Sequence, residues 1–183
     1  MQWLPTPPGG EWRAGWATLA AGRCAILAGR AVVMARHPVP AAADIEALAG
    51  HRFPGGTYRI AHWENVLLSG CTGADLLPDG IAHPSALFHL PIAGSGTSIA
   101  EMFALGQAES DLSIMIESYD WEFFQPLREE TDYRVEGKIH SAERIQEQDR
   151  EYDRIQFCFA VSLASGEPVA RSVVTWHYTR NTL

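Results

Sequence analysis

Asp75 and His83 stand eight residues apart in a stretch rich in Gly, Pro and Asp. A carboxylate and an imidazole held within about 3 Å of a substrate proton form a general acid/base pair. The loop composition of residues 72–82 allows the turns that such an approach needs. Further on, Gly94, Ser95 and Gly96 open an apolar segment that ends at Gly106. Backbone N–H groups at a helix start are unpaired and carry the positive end of the dipole. Aimed at one spot, they can hold an anion or oppose the negative charge of a developing oxyanion. The same glycines also allow a helix entry to pack closely on a sheet. Glu101, about one turn into that helix, and His89, just before it, are alternative catalytic residues. Arg128 and Arg171 are candidates to meet a phosphate group.

The elements that would carry these residues follow from periodicity. The spacing predicts a short helix over Asp44–Gly50 with Asp44 as its N-cap and Gly50 as its stop. Thr57–Ala61 alternates as a strand. His62–Cys71 has Trp63, Val66, Leu67 and Gly70 on one helical face. A helix from about Thr97 to Gln107 carries Ile99, Met102, Phe103 and Gly106 in one stripe. Four strand-like runs follow. The second puts Tyr133, Val135, Gly137 and Ile139 on one face and Arg134, Glu136, Lys138 and His140 on the other. The last two are joined by the tight turn at Ser165-Gly-Glu, and Gln146–Arg150 is the tip of another hairpin. Tyr119, Trp121, Phe123 and Phe124 read either as core and interface or as one wall of an apolar tunnel.

At 183 residues, 46% hydrophobic and 20% charged, the composition is that of an ordinary globular domain. Residues 1–43 carry +3, whereas the rest carry −11 of the net −8, which argues against a nucleic-acid surface on the main domain. That first stretch, rich in Pro, Gly, Ala and Arg, reads as an irregular N-terminal extension. Its apolar run, interrupted by Arg23 and Arg30, is too short and too charged for a membrane span. Cys24, Cys71 and Cys158 show no disulfide or metal-ligand spacing, so neither a metal nor a cofactor is expected, and the cytoplasm is the expected compartment.

One helix against a long antiparallel sheet is an α+β layering. With strands this long the sheet can wrap around the single central helix, which is the hot dog fold, expected here over residues 44–183.

In that order of elements the chain resembles the MaoC-like hot dog family, which includes (R)-specific enoyl-CoA hydratases and FAS1-type 3-hydroxyacyl dehydratases. The resemblance covers about residues 44–180. It rests on Leu48-Ala-Gly-His-Arg-Phe53, on Ser69-Gly-Cys-Thr-Gly73 with Asp75 and Pro78, and on Leu90-Pro-Ile-Ala-Gly94. Phe124-Gln-Pro-Leu-Arg128, Tyr133, Gly137, Gly166-Glu167 and Ala170-Arg-Ser172 extend it through the sheet. Hydratases of the family carry an Asp followed five residues later by a His. Here Leu77 stands for the intervening Asn, Gly80 for the His, and Ala93 for the histidine before Gly94.

The resemblance implies hydration of an enoyl thioester or dehydration of a 3-hydroxyacyl thioester, on coenzyme A or acyl carrier protein. Asp75 and His83 would be the acid/base pair and Gly94–Gly96 the thioester-binding amides. The broken motif equally suits a non-catalytic subunit that pairs with a catalytic hot dog partner. A thioesterase relying on Glu101 is the third reading. Sheet-to-sheet pairing, as a homodimer or as a heterodimer with another hot dog subunit, would bury the exposed strand edges.

Overall fold

The computed structural model describes residues 38–180, so the expected extension lies, up to residue 37, outside the described residues. Five antiparallel strands form one sheet: β1 (Gly56–Arg59), β2 (Ile114–Phe123), β3 (Asp132–Glu147), β4 (Arg150–Leu163) and β5 (Pro168–Thr179), in the order β1-β3-β4-β5-β2. Strands β3, β4 and β5 form a meander, as the alternating sequence predicts. Gly166, at φ +88°, takes the left-handed position in the β4–β5 turn, where a residue without Cβ is favoured. The edge strands come from far along the chain: Gly56 opposes Val135 in β1–β3, and Ile114 opposes Tyr178 in β2–β5.

The inner face of the sheet supplies the core. Ile139, Ile155, Phe157, Phe159, Val174 and Tyr178 are buried in one cluster with Ile45, Phe53 and Met102. A second cluster joins Tyr133, Val135 and Val161 to Ile60, Leu87 and Leu90. Cys158 faces the other way, half-buried on the outer side of β4.

Among the described residues four α-helices are present: α1 (Ala42–Glu46), α2 (His62–Thr72), α3 (Leu90–Gly94) and α4 (Ile99–Leu105). Two expectations change here. Helix α1 is capped at Ala41, with Asp44 inside its first turn instead of at the cap. The central helix comes in two pieces. Pro91 sits in the first turn of α3, where a missing N–H costs nothing, and Gly96 at φ +71° turns the chain before Ser98 caps α4.

Helix α2 turns inside out relative to its composition. Trp63, Val66 and Leu67 are exposed, at 66%, 41% and 58%, whereas Glu64, Asn65 and Ser69 are buried. Buried polar groups need partners, and the first two have them. Asn65 donates to Glu129 Oε2 at 2.9 Å and accepts the His83 N–H at 2.8 Å. Glu64 is tied to Tyr58 and His89.

The far end of the sheet is held by a buried ionic clasp. Asp153 is fully buried and accepts hydrogen bonds from Arg144 and from Arg180 Nε, the latter at 2.6 Å. Arg144 reaches on to the Pro40 carbonyl at 2.9 Å, and Arg180 to the carbonyls of Gly106 and Gln107 at the end of α4. A guanidinium there meets the carbonyls that a helix terminus leaves unpaired.

Candidate functional site

An apolar groove of about 510 Å³ opens between the α3–α4 pair and strands β2 and β5. Ile92, Phe103, Ile114, Tyr119 and Trp176 form most of its wall, with Phe88 against Tyr119 at a ring separation of 4.8 Å. Phe103 meets Trp176 edge-on at 5.4 Å. Ile99, expected in the buried stripe of α4, is 51% exposed and lines the groove instead. His89, Thr97, Ser98 and Asp111 are the polar and charged members of the lining. The indole N–H of Trp176, a residue only 3% exposed, has no hydrogen-bond partner among the described residues. His89 lies in the wall, at the junction with α3.

His89 does not stand alone. Its Nε2 donates to Glu64 Oε1, and Tyr58 Oη donates to the same carboxylate at 3.1–3.2 Å. The Ala61 N–H adds a fourth contact, to Oε2 at 3.3 Å. The Tyr58 ring meets the His89 imidazole edge-on at 5.8 Å. Burial, helped by the Glu64 carboxylate, pushes the Tyr58 phenol up to about 12, so it remains a donor at neutral pH. A 7% exposed carboxylate thus gathers a phenol, an imidazole and a backbone amide beside an apolar groove.

The residues singled out from the sequence fall in different places. Asp75 is exposed and makes no hydrogen bond or ion pair among the described residues. His83 caps the turn that follows it. Its Nδ1 contacts Ser85 Oγ at 2.7 Å and its Nε2 contacts Thr72 Oγ1 at 3.3 Å. No bond joins Asp75 to His83, and neither lines the groove.

Gly94–Gly96 does not form a helix start. Gly94 ends α3, and the Ser95 N–H donates to the Pro91 carbonyl at 3.1 Å, so it is already used. The Ser95 carbonyl accepts from Gly55 at 2.8 Å, tying this bend to the entry of β1. Close packing explains the first glycine: a Cβ on Gly94 would lie 2.6 Å from Val135 Cγ2 and 3.0 Å from Tyr58 Cβ. Glu101 closes a capping box, its Oε2 accepting from the Ser98 N–H at 2.8 Å and from Ser98 Oγ at 3.0 Å.

Of the two arginines, Arg171 pairs with Glu122 at 2.9 Å and Arg128 holds the Asp79 carbonyl at 2.7 Å. Glu64 carried no signal in the sequence beyond an acid near a helix start, which is ordinarily only a cap. No helix among the described residues is long and apolar enough to cross a membrane.

No protein-family model matches the sequence, and no curated protein matches it. Solved structures do. The ChsH1–ChsH2 complex from Mycobacterium tuberculosis superposes with a TM-score of 0.57 at 10% identity, over 77% of this chain and 91% of that one. The HadBC (3R-hydroxyacyl-ACP dehydratase) complex from the same organism gives 0.54 at 14%, over 71% and 96%. A MaoC-like dehydratase from Phytophthora capsici gives 0.53 at 12%, over 79% of this chain and 51% of that one. Identities this low speak to architecture alone, and with the sheet order and the helices laid against its inner face they show that this chain has the hot dog fold.

Proposed function

We propose that this domain binds an acyl thioester and belongs to the hydratase/dehydratase type of hot dog protein, with the acyl chain lying in the groove between α3–α4 and β2–β5. The observation that carries the reading is the groove itself. Apolar side chains make up most of its lining, with His89, Thr97, Ser98 and Asp111 as its polar and charged members, which suits a hydrocarbon chain carrying one polar end. The structures that share its fold include a 3R-hydroxyacyl-ACP dehydratase complex, so the fold is compatible with that reaction class.

The test is a calorimetric titration with non-reactive alkyl thioethers of coenzyme A of increasing chain length. Affinity rises by about fourfold per methylene, from ~0.8 kcal/mol for each buried CH₂, until the groove is full. An affinity that ignores chain length would refute the assignment.

The second reading is a hot dog subunit that works beside a catalytic partner. Two observations favour it. Asp75 and His83 are not joined, and the edge strand β2 leaves Met115, Ile116, Trp121 and Phe123 exposed. An open apolar edge is a template for another strand. In this reading the chain co-purifies with a second hot dog subunit and shows turnover only with it; a homodimer active by itself counts against it.

A further inference from the structure

We infer that His89 is the acid/base group of this site and that Glu64 and Tyr58 are its positioning residues, a triad built from the turn before α3, from α2 and from β1. The inference rests on the groove being the acyl-thioester site. It replaces the Asp75/His83 pair with residues that already touch. Glu64 is the centre of the arrangement: a carboxylate buried on the inner side of α2, where the helix would otherwise place an apolar residue. Burying a charge is costly unless it is paired and hydrogen-bonded. Here Tyr58 Oη, the Ala61 N–H and His89 Nε2 all donate to it.

This contact fixes the imidazole. With Nε2–H donated to Glu64, the neutral ring carries its lone pair on Nδ1, which has no hydrogen-bond partner among the described residues. His89 lines the groove, with a side chain 36% exposed. A carboxylate behind the ring also stabilises the imidazolium that forms when Nδ1 takes a proton. The groove therefore has a base with an assigned tautomer at its wall.

The chemistry balances with water as the only co-reactant. Nδ1 removes a proton from water as the water oxygen bonds to the β-carbon of an enoyl thioester. The C=C electron pair moves toward the thioester carbonyl to give an enolate. The Nδ1–H then protonates the α-carbon, which yields the 3-hydroxyacyl thioester and returns His89 to its neutral form. Because one base serves both steps, oxygen and hydrogen add to the same face of the double bond.

The experiment combines kinetics with ring nitrogen NMR. In the wild-type chain the ¹⁵N spectrum of His89 shows the proton on Nε2. In Glu64→Gln a single accepting oxygen must serve three donors. With that oxygen on the Ala61 and Tyr58 side, the amide NH₂ faces the ring and the proton moves to Nδ1. Hydration of trans-2-enoyl-CoA falls by about 10²–10⁴-fold in His89→Ala, with thioether affinity within about threefold of wild type, and free imidazole restores part of the rate. Glu64→Gln falls in the same range, because the wrong tautomer is presented.

A wild-type ring protonated on Nδ1 overturns the inference. So does full turnover in His89→Ala, or thioether binding with no turnover in any assembly. Chain-length-independent thioether affinity would instead overturn the groove as the acyl site. The two failures are therefore distinguishable.

Discussion

Replacing Asp153 tests how the closed end of the domain is held. The carboxylate is fully buried, and the two guanidinium groups it neutralises, on Arg144 and Arg180, have side chains only 11% and 3% exposed. Removing one partner of a buried pair costs about 3–5 kcal/mol, because the remaining charge stays buried without compensation. In Asp153→Ala Arg180 is left without its carboxylate and loses the anchor that aims it at the α4 carbonyls, whereas Arg144 keeps Glu151 at 3.6 Å. A loss of about 3–5 kcal/mol is expected.

Against a typical total of about 5–15 kcal/mol this is a large loss. Urea unfolding followed by tryptophan fluorescence, at fixed protein concentration, measures it. With a slope of about 2 kcal/mol per molar urea, the midpoint drops by about 2 M. A triple apolar variant, Asp153→Leu with Arg144→Met and Arg180→Met, removes all three charges and recovers most of the stability, since the desolvation cost disappears with them. A midpoint shift below about 0.5 M in Asp153→Ala would refute the reasoning, because that is how a solvated surface pair behaves.

Gly94→Ala loses about 1–3 kcal/mol by overpacking against Val135. Adding Val135→Ala returns part of that loss, read as a favourable coupling energy in a double-mutant cycle by urea melts. All five tyrosines titrate above the ordinary phenol value: burial raises Tyr119, Tyr133, Tyr152 and Tyr178, and pushes Tyr58 up to about 12. The phenolate absorbance of the folded protein therefore rises later with pH than that of the urea-unfolded chain. The sign for stability follows: the contribution of these phenols is complete below the unfolded value of about 10 and is lost as pH rises through the folded values.

The strands were legible because alternation is a local signal. Tyr133, Val135, Gly137 and Ile139 point inward in β3, as their spacing requires. Helix α2 was legible as a helix but not as to which side it buries. Periodicity marks Trp63, Val66 and Leu67 as a face, and only the positions of Tyr58, Glu129 and His89 turn Glu64 and Asn65 inward. The break in the central helix hangs on Pro91 and Gly96, which composition alone reads as a helix entry. His89 was a candidate from the sequence, but Glu64 was not. The groove draws Phe88, Tyr119 and Trp176 from three distant segments, and no local pattern assembles them.

The order in which the edge strands pair has a consequence for synthesis. Strand β1 leaves the ribosome about 80 residues ahead of the β3 strand that it joins, and the helices that line the groove follow it, still about 30–40 residues ahead of β3. At ~5–20 residues per second, β1 has a wait of roughly 4–16 s. For the later part of it, Ile92, Met102 and Phe103 have no sheet to lie on. The β3–β4–β5 meander can close its own hairpins as soon as it emerges, whereas β2 must be retained until β5 is made. Long-range closure of this kind is slow. Until the sheet is made, these apolar side chains depend on shielding from outside the fold.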